Sequence, residues 1–344
     1  MSHMKIDKKN EVYLQIETEP HIARELSEHF TFEVPGAKFM PAYRNKIWDG
    51  KIRLYSITTG KIYVGLLPYI REFCKRNDIR YELIYNNKNE DISEEFIKQF
   101  IHDLNLPHET RDYQISGILS CARKCRSLLV SPTASGKSLI IYALTRYYHK
   151  KNHKTLILVP TTSLVEQMYS DFINYGWSDE YIQKIYQGHD KQITKDVTIS
   201  TWQSIYKLPR KYFEQFGCVI GDEAHLFKSK SLTSILTKMI NCKYRFGLTG
   251  TLDDTQTHKL VLEGLFGTVN KVVSTKELID KKTLSQLKID SLVLSYNEAE
   301  CKFNRDLKYA DELDFIVTHN RRLLFTKNLV SNINGNTLLL FQFV

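Results

Sequence analysis

Ser131-Pro132-Thr133-Ala134-Ser135-Gly136-Lys137-Ser138 stands between a short apolar run, Ser127–Val130, and a longer apolar stretch, Leu139–Tyr148. A strand, a tight loop ending in Gly-Lys-Ser and a helix form the setting in which backbone N–H groups converge on phosphate oxygens. In that reading Pro132, Thr133, Ala134 and Ser135 make the loop, and Gly136 lets the backbone approach closely. Lys137 reaches the outer phosphates of ATP, and the Ser138 hydroxyl ligates Mg2+. Ser131 occupies a position where the general pattern has glycine, a mild departure.

A second apolar run, Cys218–Gly221, ends at Asp222-Glu223-Ala224-His225. Two adjacent carboxylates at a strand end suit two tasks: Asp222 holds the Mg2+ water shell, and Glu223 orients and deprotonates an attacking water. By itself such a pair is ordinarily a solvated, acidic helix start. Behind a phosphate loop it reads as catalytic, with Lys137 as the cation facing the phosphates and His225 placed to sense the nucleotide. Upstream, in Arg111-Asp112-Tyr113-Gln114, the Gln114 amide can read an adenine edge with Arg111 in support. Thr161 and Thr162, after Val159-Pro160, and Thr201 and Gln203, in Thr201-Trp202-Gln203-Ser204, bring hydroxyls and helix-start N–H groups that can hold a phosphodiester backbone. Thr249 and Thr251, in Leu248-Thr249-Gly250-Thr251, are candidates for coupling the two ligands; as isolated loops all of these would be plain turns or helix caps.

The elements that must position these residues follow from periodicity. From about residue 108, short apolar runs recur at Ser127–Val130, Thr155–Val159, Val197–Thr201, Cys218–Gly221 and Tyr244–Leu248, with helical stretches between them. That alternation predicts an α/β fold, a parallel sheet with flanking helices and ligands beyond the carboxyl ends of the strands. Residues 1–90 read as a small α+β domain. It has strands at Val12–Ile16, Lys51–Tyr55, Ile62–Leu67 and Arg80–Tyr85, and helices at Pro20–Phe30 and Leu67–Arg76. Asn86–Asp91 is a polar linker and Ser93–Leu104 a short helix. Residues 91–285 form the nucleotide-binding domain. Residues 286–344 form a linker and the opening of a further domain, with a helix at His319–Val330 and a strand at Thr337–Val344. Met1-Ser2-His3-Met4 reads as a cloning leader ahead of a native Met4.

The chain has 344 residues, 42% of them apolar, enough for sizeable cores, so global disorder is excluded. No apolar run is long enough to span a bilayer and the start lacks a signal-peptide core, which points to a cytoplasmic protein without a membrane partner. Six scattered cysteines, none in a Cys-x-x-Cys pair, read as reduced thiols. The formal charge of +9 suits a polyanion. Between Lys38 and Arg53, five basic residues face one acidic residue and alternate with Phe39, Tyr43 and Trp48. Arg44, Lys51 and Arg53 can meet phosphates while Trp48 stacks on exposed bases; the bland alternative is a structural tryptophan under a solvated basic face.

These motifs, in this order over residues 108–255, resemble those of superfamily 2 helicases of the DEAH-box kind. The resemblance narrows to the UvsW recombination helicases of T-even-type phages. It is carried by Phe30-Thr31-Phe32, Arg44, Trp48-Asp49-Gly50-Lys51-Ile52-Arg53-Leu54, Val64-Gly65-Leu66, Phe213-Glu214-Gln215-Phe216-Gly217 and Lys243-Tyr244-Arg245-Phe246-Gly247-Leu248. It implies a RecA-like first motor domain behind a substrate-recognition domain, in a monomer working in the cytoplasm of a bacterial host. It also implies an ATP- and Mg2+-dependent motor on branched or forked DNA, able to migrate junctions, regress forks and unwind RNA–DNA hybrids. Such motors close two lobes on ATP, and the second supplies an arginine finger. Val344 comes before any such motif, so the chain reads as truncated at the start of the second lobe and weak in turnover. Arg321 and Arg322 lie in the opening helix and are expected to face solvent or the linker. A nucleotide-gated DNA-binding module without turnover, and the motor subunit of a restriction system, are the alternatives.

Overall fold

The computed structural model describes residues 3–86, 89–226, 230–252, 256–286 and 288–340. The chain forms two compact units, Met1–Ser285 and Gln286–Val344.

The first unit begins with a mixed sheet. Its strands are β1 (His3–Lys8), β2 (Tyr13–Thr18), β5 (Tyr55–Ser56), β6 (Lys61–Tyr63) and β7 (Arg80–Leu83), in the order β5-β6-β2-β1-β7. Alternation builds it: Met4 and Ile6 of β1, and Leu14 and Ile16 of β2, point into the core, and Lys5 and Gln15 point away from it. The helix Pro20–His29 lays Ile22, Ala23 and Leu26 on the same core, and Leu67–Arg76 adds Ile70, Phe73 and Cys74. A separate ribbon pairs β3 (Thr31–Glu33) with β4 (Lys51–Arg53). The expected strand at Lys51–Tyr55 is thus split between two sheets. The expected strand Ile62–Leu67 ends at Tyr63, where a 3-10 turn, Val64–Leu66, takes over. His3 of the expected leader and the adjoining Met4 lie in β1, His3 opposite Arg80 and Met4 paired on both sides.

A seven-stranded, all-parallel sheet follows. Its strands are β8 (Arg126–Val130), β9 (Lys154–Val159), β10 (Ile182–Ile185), β11 (Val197–Thr201), β12 (Phe216–Gly221), β13 (Tyr244–Thr249) and β14 (Val269–Lys271), in the order β10-β11-β9-β12-β13-β8-β14. The central strands are buried on both faces because helices cover both. One face carries Lys137–Lys150 and Thr162–Asn174, with Tyr142, Tyr148 and Phe172 in its core. The other carries Lys230–Lys238 and Gln256–Phe266, with Leu232, Leu236 and Phe266. Arg245 is fully buried in β13, donating to the carbonyls of Leu236, Met239 and Cys242, so its charge meets the negative end of the helix Lys230–Lys238.

The mixed sheet and the parallel sheet are joined tightly. A Cβ on Gly65 would lie 1.9 Å from the Glu263 carbonyl oxygen, so only glycine permits this contact. Tyr69 donates to Glu263 over 2.6 Å, Arg126 pairs with Glu11 at 2.9 Å, and Leu260 packs into the N-terminal core.

The second unit contains the helices Glu298–Asn304, Tyr309–Thr318 and Asn320–Asn332. Glu300 and His319 link two of them at 3.1 Å, and Arg322 donates to the Ile316 carbonyl. Residues 337–340 form no strand, and the rest of the expected strand, 341–344, lies outside the described residues.

Candidate functional site

Strand order brings the motifs into one line. Along the carboxyl edge of the parallel sheet, β11 delivers Thr201, β9 delivers Thr161, β12 delivers Asp222, β13 delivers Thr249 and β8 delivers Ser131. At about 4.8 Å per strand, β11 and β8 are roughly 19 Å apart, so one edge holds two separate ligand zones.

The zone at β8 and β12 is built for an anion. Ser131 shows why its departure from glycine is tolerated: its hydroxyl meets that of Ser135 at 2.6 Å, and Ser135 donates in turn to the Pro132 carbonyl at 2.6 Å. Thr133 and Ala134 at the loop tip are exposed, and Ala134 is left-handed at φ 62°. Gly136, at φ 79°, precedes the first helical residue, Lys137. The helix start therefore faces the loop with unpaired N–H groups.

Gln114 does something that its position in the sequence does not reveal. It is buried, accepts from the Arg111 N–H at 2.9 Å and donates to the Ser135 carbonyl at 2.9 Å. Tyr113 donates to the same carbonyl at 2.8 Å, and Arg111 donates to the Tyr113 hydroxyl at 2.7 Å. The adenine-reader candidates thus clamp the phosphate loop from behind. An amide has two N–H donors and two lone pairs, so these bonds leave Gln114 with capacity for a base edge.

Lys137 Nζ lies 3.7 Å from Glu223 and 3.5 Å from the Ser131 carbonyl. Asp222 is anchored by its N–H to the Leu158 carbonyl at 2.9 Å and accepts from the Glu223 N–H at 3.0 Å. Burial, reinforced by the Glu223 charge, pushes the Asp222 carboxyl up to about 6, against the pull of that N–H and of Lys137. Glu223 holds a left-handed backbone at φ 50°. His225 Nδ1 lies 2.8 Å from the Thr249 hydroxyl and 3.3 Å from Glu223. Because that hydroxyl gives its proton to the Thr251 carbonyl at 2.7 Å, the imidazole must be the donor to Thr249. A chain of contacts therefore runs Lys137–Glu223–His225–Thr249–Thr251. A Cβ on Gly250 would touch Thr133 at 3.6 Å and Lys137 Nζ at 3.7 Å, so β13 backs directly onto the phosphate loop.

The donor set fits a magnesium–nucleotide. Among the described residues no cluster of three or more His, Cys, Asp or Glu could cage a metal alone. Magnesium bound with a nucleotide needs only one or two protein ligands, the phosphates and water completing its shell. Ser138 and Asp222 are the groups of that kind here. Ser138 lies 3.2 Å from the Tyr175 hydroxyl and also bonds Asp171, whose carboxyl burial raises; the motif gave no sign of either partner.

At the β9 and β11 end, Thr161 caps its helix by accepting from the Leu164 N–H at 3.3 Å, and Thr162 is exposed. Exposed Gln203 donates to the Pro160 carbonyl at 3.2 Å, and Thr201 shares a 2.8 Å bond with Ser204. The two candidate backbone-holding loops are thus stitched together. In the N-terminal patch, Trp48 donates to the Lys51 carbonyl at 2.9 Å, Arg53 pairs with Asp49, and Lys51 reaches Glu33 at 4.0 Å. Lys38, Arg44 and Lys46 have no carboxylate partner among the described residues, and they border a broad groove with Tyr43, Ile47 and Trp48. Phe39 and Ile47 are exposed beside it.

Residues 3–84 match the family model for the N-terminal domain of DNA helicase UvsW, and residues 94–254 match that of the type III restriction enzyme res subunit. The crystal structure of the UvsW helicase from bacteriophage T4 is 32% identical with a TM-score of 0.71, over 78% of this chain and 99% of that one. The chain belongs to the UvsW helicase family. A second T4 UvsW crystal structure is 31% identical with a TM-score of 0.73, over 95% of this chain and 67% of that one. The curated ATP-dependent DNA helicase uvsW of phage T4 is 34% identical over 325 residues, 90% of this chain. The chain spans 64% of that relative's length. A DNA 3'-5' translocase of Sulfurisphaera tokodaii is 30% identical over 195 residues, 56% of this chain and 42% of its own. The RecA-like lobe and small α+β layer are those that the UvsW resemblance implies. Among the described residues, no helix is long and apolar enough to cross a membrane.

Proposed function

We propose that this chain supplies the first ATP-binding lobe and the substrate-recognition layer of a DNA helicase or translocase that acts on branched or forked DNA, with RNA–DNA hybrids as further substrates, in the bacterial host of a phage. The observation that carries the reading is the single line of contacts from Lys137 through Glu223 and His225 to Thr249 and Thr251. A nucleotide-facing base and a strand-end loop are linked there by one imidazole, which is what coupling requires.

ATP with Mg2+, when bound, supplies the reactive phosphoryl group. Lys137 faces its charge, Ser138 and Asp222 are the ligands for the ion, and Glu223 orients and deprotonates the attacking water. Gln114 and Arg111 meet the base, while Thr161, Thr162, Thr201 and Gln203 hold a DNA strand by its backbone. Arg44, Trp48, Lys51 and Arg53 form the second DNA-binding surface, with Arg44 the cation most available for a phosphate.

Fluorescent ATP titration of Lys137→Ala tests the centre of this proposal. The variant should lose ATP binding, because no other described side chain stands in for the cation at the loop. Equal affinity in variant and parent would remove the phosphate-loop assignment.

A further inference from the structure

The opposite ends of the same strands carry a second basic site. Where the amino ends of β13, β8 and β14 meet the N-terminal layer, a cavity of about 280 Å3 opens. A water molecule needs roughly 10–15 Å3 of such volume, so the space suits a larger guest. Five cations line it, Lys8, Arg71, Lys124, Arg126 and Lys243, against one carboxylate, Glu11. Glu11 is shared by Lys8 at 2.7 Å and Arg126 at 2.9 Å, and Lys243 is held by Glu90 at 2.9 Å. Arg71 and Lys124 have no carboxylate partner among the described residues. The lining therefore keeps an excess of positive charge.

Hydrogen bonding shows the same deficit. Arg71 Nε, the Tyr85 hydroxyl and Arg126 Nη1 are shielded from solvent and have no partner. All three belong to side chains that line this cavity, and all three can donate. Buried donors are ordinarily paired, so three in one wall mark a shortage of acceptors. Burial also holds the Arg126 guanidinium below its usual range, the mark of a cation that Glu11 only partly compensates.

We propose that this cavity binds a small phosphorylated anion, of about the size of pyrophosphate, and that the anion ties the N-terminal layer to the motor lobe. A phosphate group offers several acceptor oxygens and the negative charge that the lining lacks. Arg71, Tyr85 and Lys8 would grip it from the N-terminal layer, Lys124 and Arg126 from the lobe. The site is distinct from the phosphate loop, which leaves β8 at its other end, roughly 16 Å away along a five-residue strand.

The test is calorimetric titration of pyrophosphate at fixed ionic strength into the Lys137→Ala chain, so that the phosphate loop does not contribute. Saturable binding is expected there. Adding Arg71→Gln and Lys124→Gln should weaken it by about tenfold or more, the loss of at least one charge-assisted hydrogen bond. The unfolding midpoint without pyrophosphate reports whether that variant still folds. If it does not, Lys8→Gln with Tyr85→Phe replaces it, with the same weakening expected. Binding by the parent that vanishes with Lys137→Ala alone overturns the proposal, since the guest is then in the phosphate loop. So does full binding after the cavity substitutions. A fall in forked-duplex affinity for the Arg71→Gln, Lys124→Gln chain, without any pyrophosphate binding by the Lys137→Ala chain, overturns it as well, by assigning the cations to DNA.

Discussion

Gly136→Ala should cripple nucleotide binding through the loop's own backbone and the residue behind it, not through the phosphates. Two costs add. Gly136 sits at φ 79°, a conformation that costs an L-residue roughly 1–2 kcal/mol. The new Cβ would also lie 2.4 Å from Gln114 Nε2, so the amide must move and its bond to the Ser135 carbonyl breaks, about 1 kcal/mol more. A total of roughly 2–3 kcal/mol against the binding-competent loop lowers its population, and at 1.4 kcal/mol per decade apparent ATP affinity falls roughly 30- to 150-fold. Fluorescent ATP titration measures this directly. A double-mutant cycle with Gln114→Ala isolates the clash: removing the amide relieves part of the cost, so the two substitutions should be non-additive by about 1 kcal/mol. Gly136→Ala binding ATP within about threefold of the parent would refute the reasoning, because the loop would then tolerate both the backbone strain and the displaced clamp.

Glu223→Gln should keep ATP binding but slow single-turnover phosphate release by about 10²–10⁴-fold, since the amide keeps the size and loses the base; near-parental release would remove the assignment. Asp222 makes stability depend on pH. Its folded carboxyl titrates near 6, above its unfolded value, so the native state binds more protons between about pH 4 and 6 and loses stability as pH rises through that window. The advantage of Asp222→Asn over the parent in metal-free urea unfolding should therefore grow from pH 4 to pH 7, by up to about 3 kcal/mol, and an equal advantage at both pH values would contradict the burial argument. In the N-terminal patch, Arg44→Ala should flatten the log–log salt dependence of forked-duplex binding by about 0.7–0.9 for each phosphate that it no longer neutralises, and Arg53→Ala, already paired with Asp49, by less; equal slopes in parent and Arg44→Ala return the patch to a solvated face.

The parallel sheet was legible because β8, β9, β11, β12 and β13 are buried on both faces and therefore read as short runs rich in apolar residues, interrupted only by buried polar groups such as Thr198, Ser200 and Arg245. Shorter strands carried no such signal. In β10, Ile182 and Ile185 flank Gln183 and Lys184, and β14 is a Val-Asn-Lys fragment whose pairing with β8 only the fold supplies. In β1, Met4 and Ile6 alternate with charged residues in a stretch too short to stand out beside an apparent leader. The phosphate loop and the acidic motif were readable because their chemistry is local in sequence. The clamp of Tyr113 and Gln114 on Ser135 spans 21–22 residues, and the partners of Ser138 come from the next helix. No motif spells out such pairings. The basic cavity draws on residues as far apart as Lys8 and Thr268, so only the assembled unit displays it.

The close approach at Gly65 sets an order of events during synthesis. Leu260 is part of the same apolar cluster as Met4, Leu14 and Ile70, and Gly65 is seated against the Glu263 carbonyl. The N-terminal layer is therefore made before the lobe residues that complete its core. Ribosomes add about 5–20 residues per second, so after Leu83 of β7 has been made, Leu260 follows only roughly 9–35 s later. Throughout that interval one apolar face of the layer waits uncovered, a period far longer than local strand and helix formation takes. That face of the layer is closed only when the helix Gln256–Phe266 arrives.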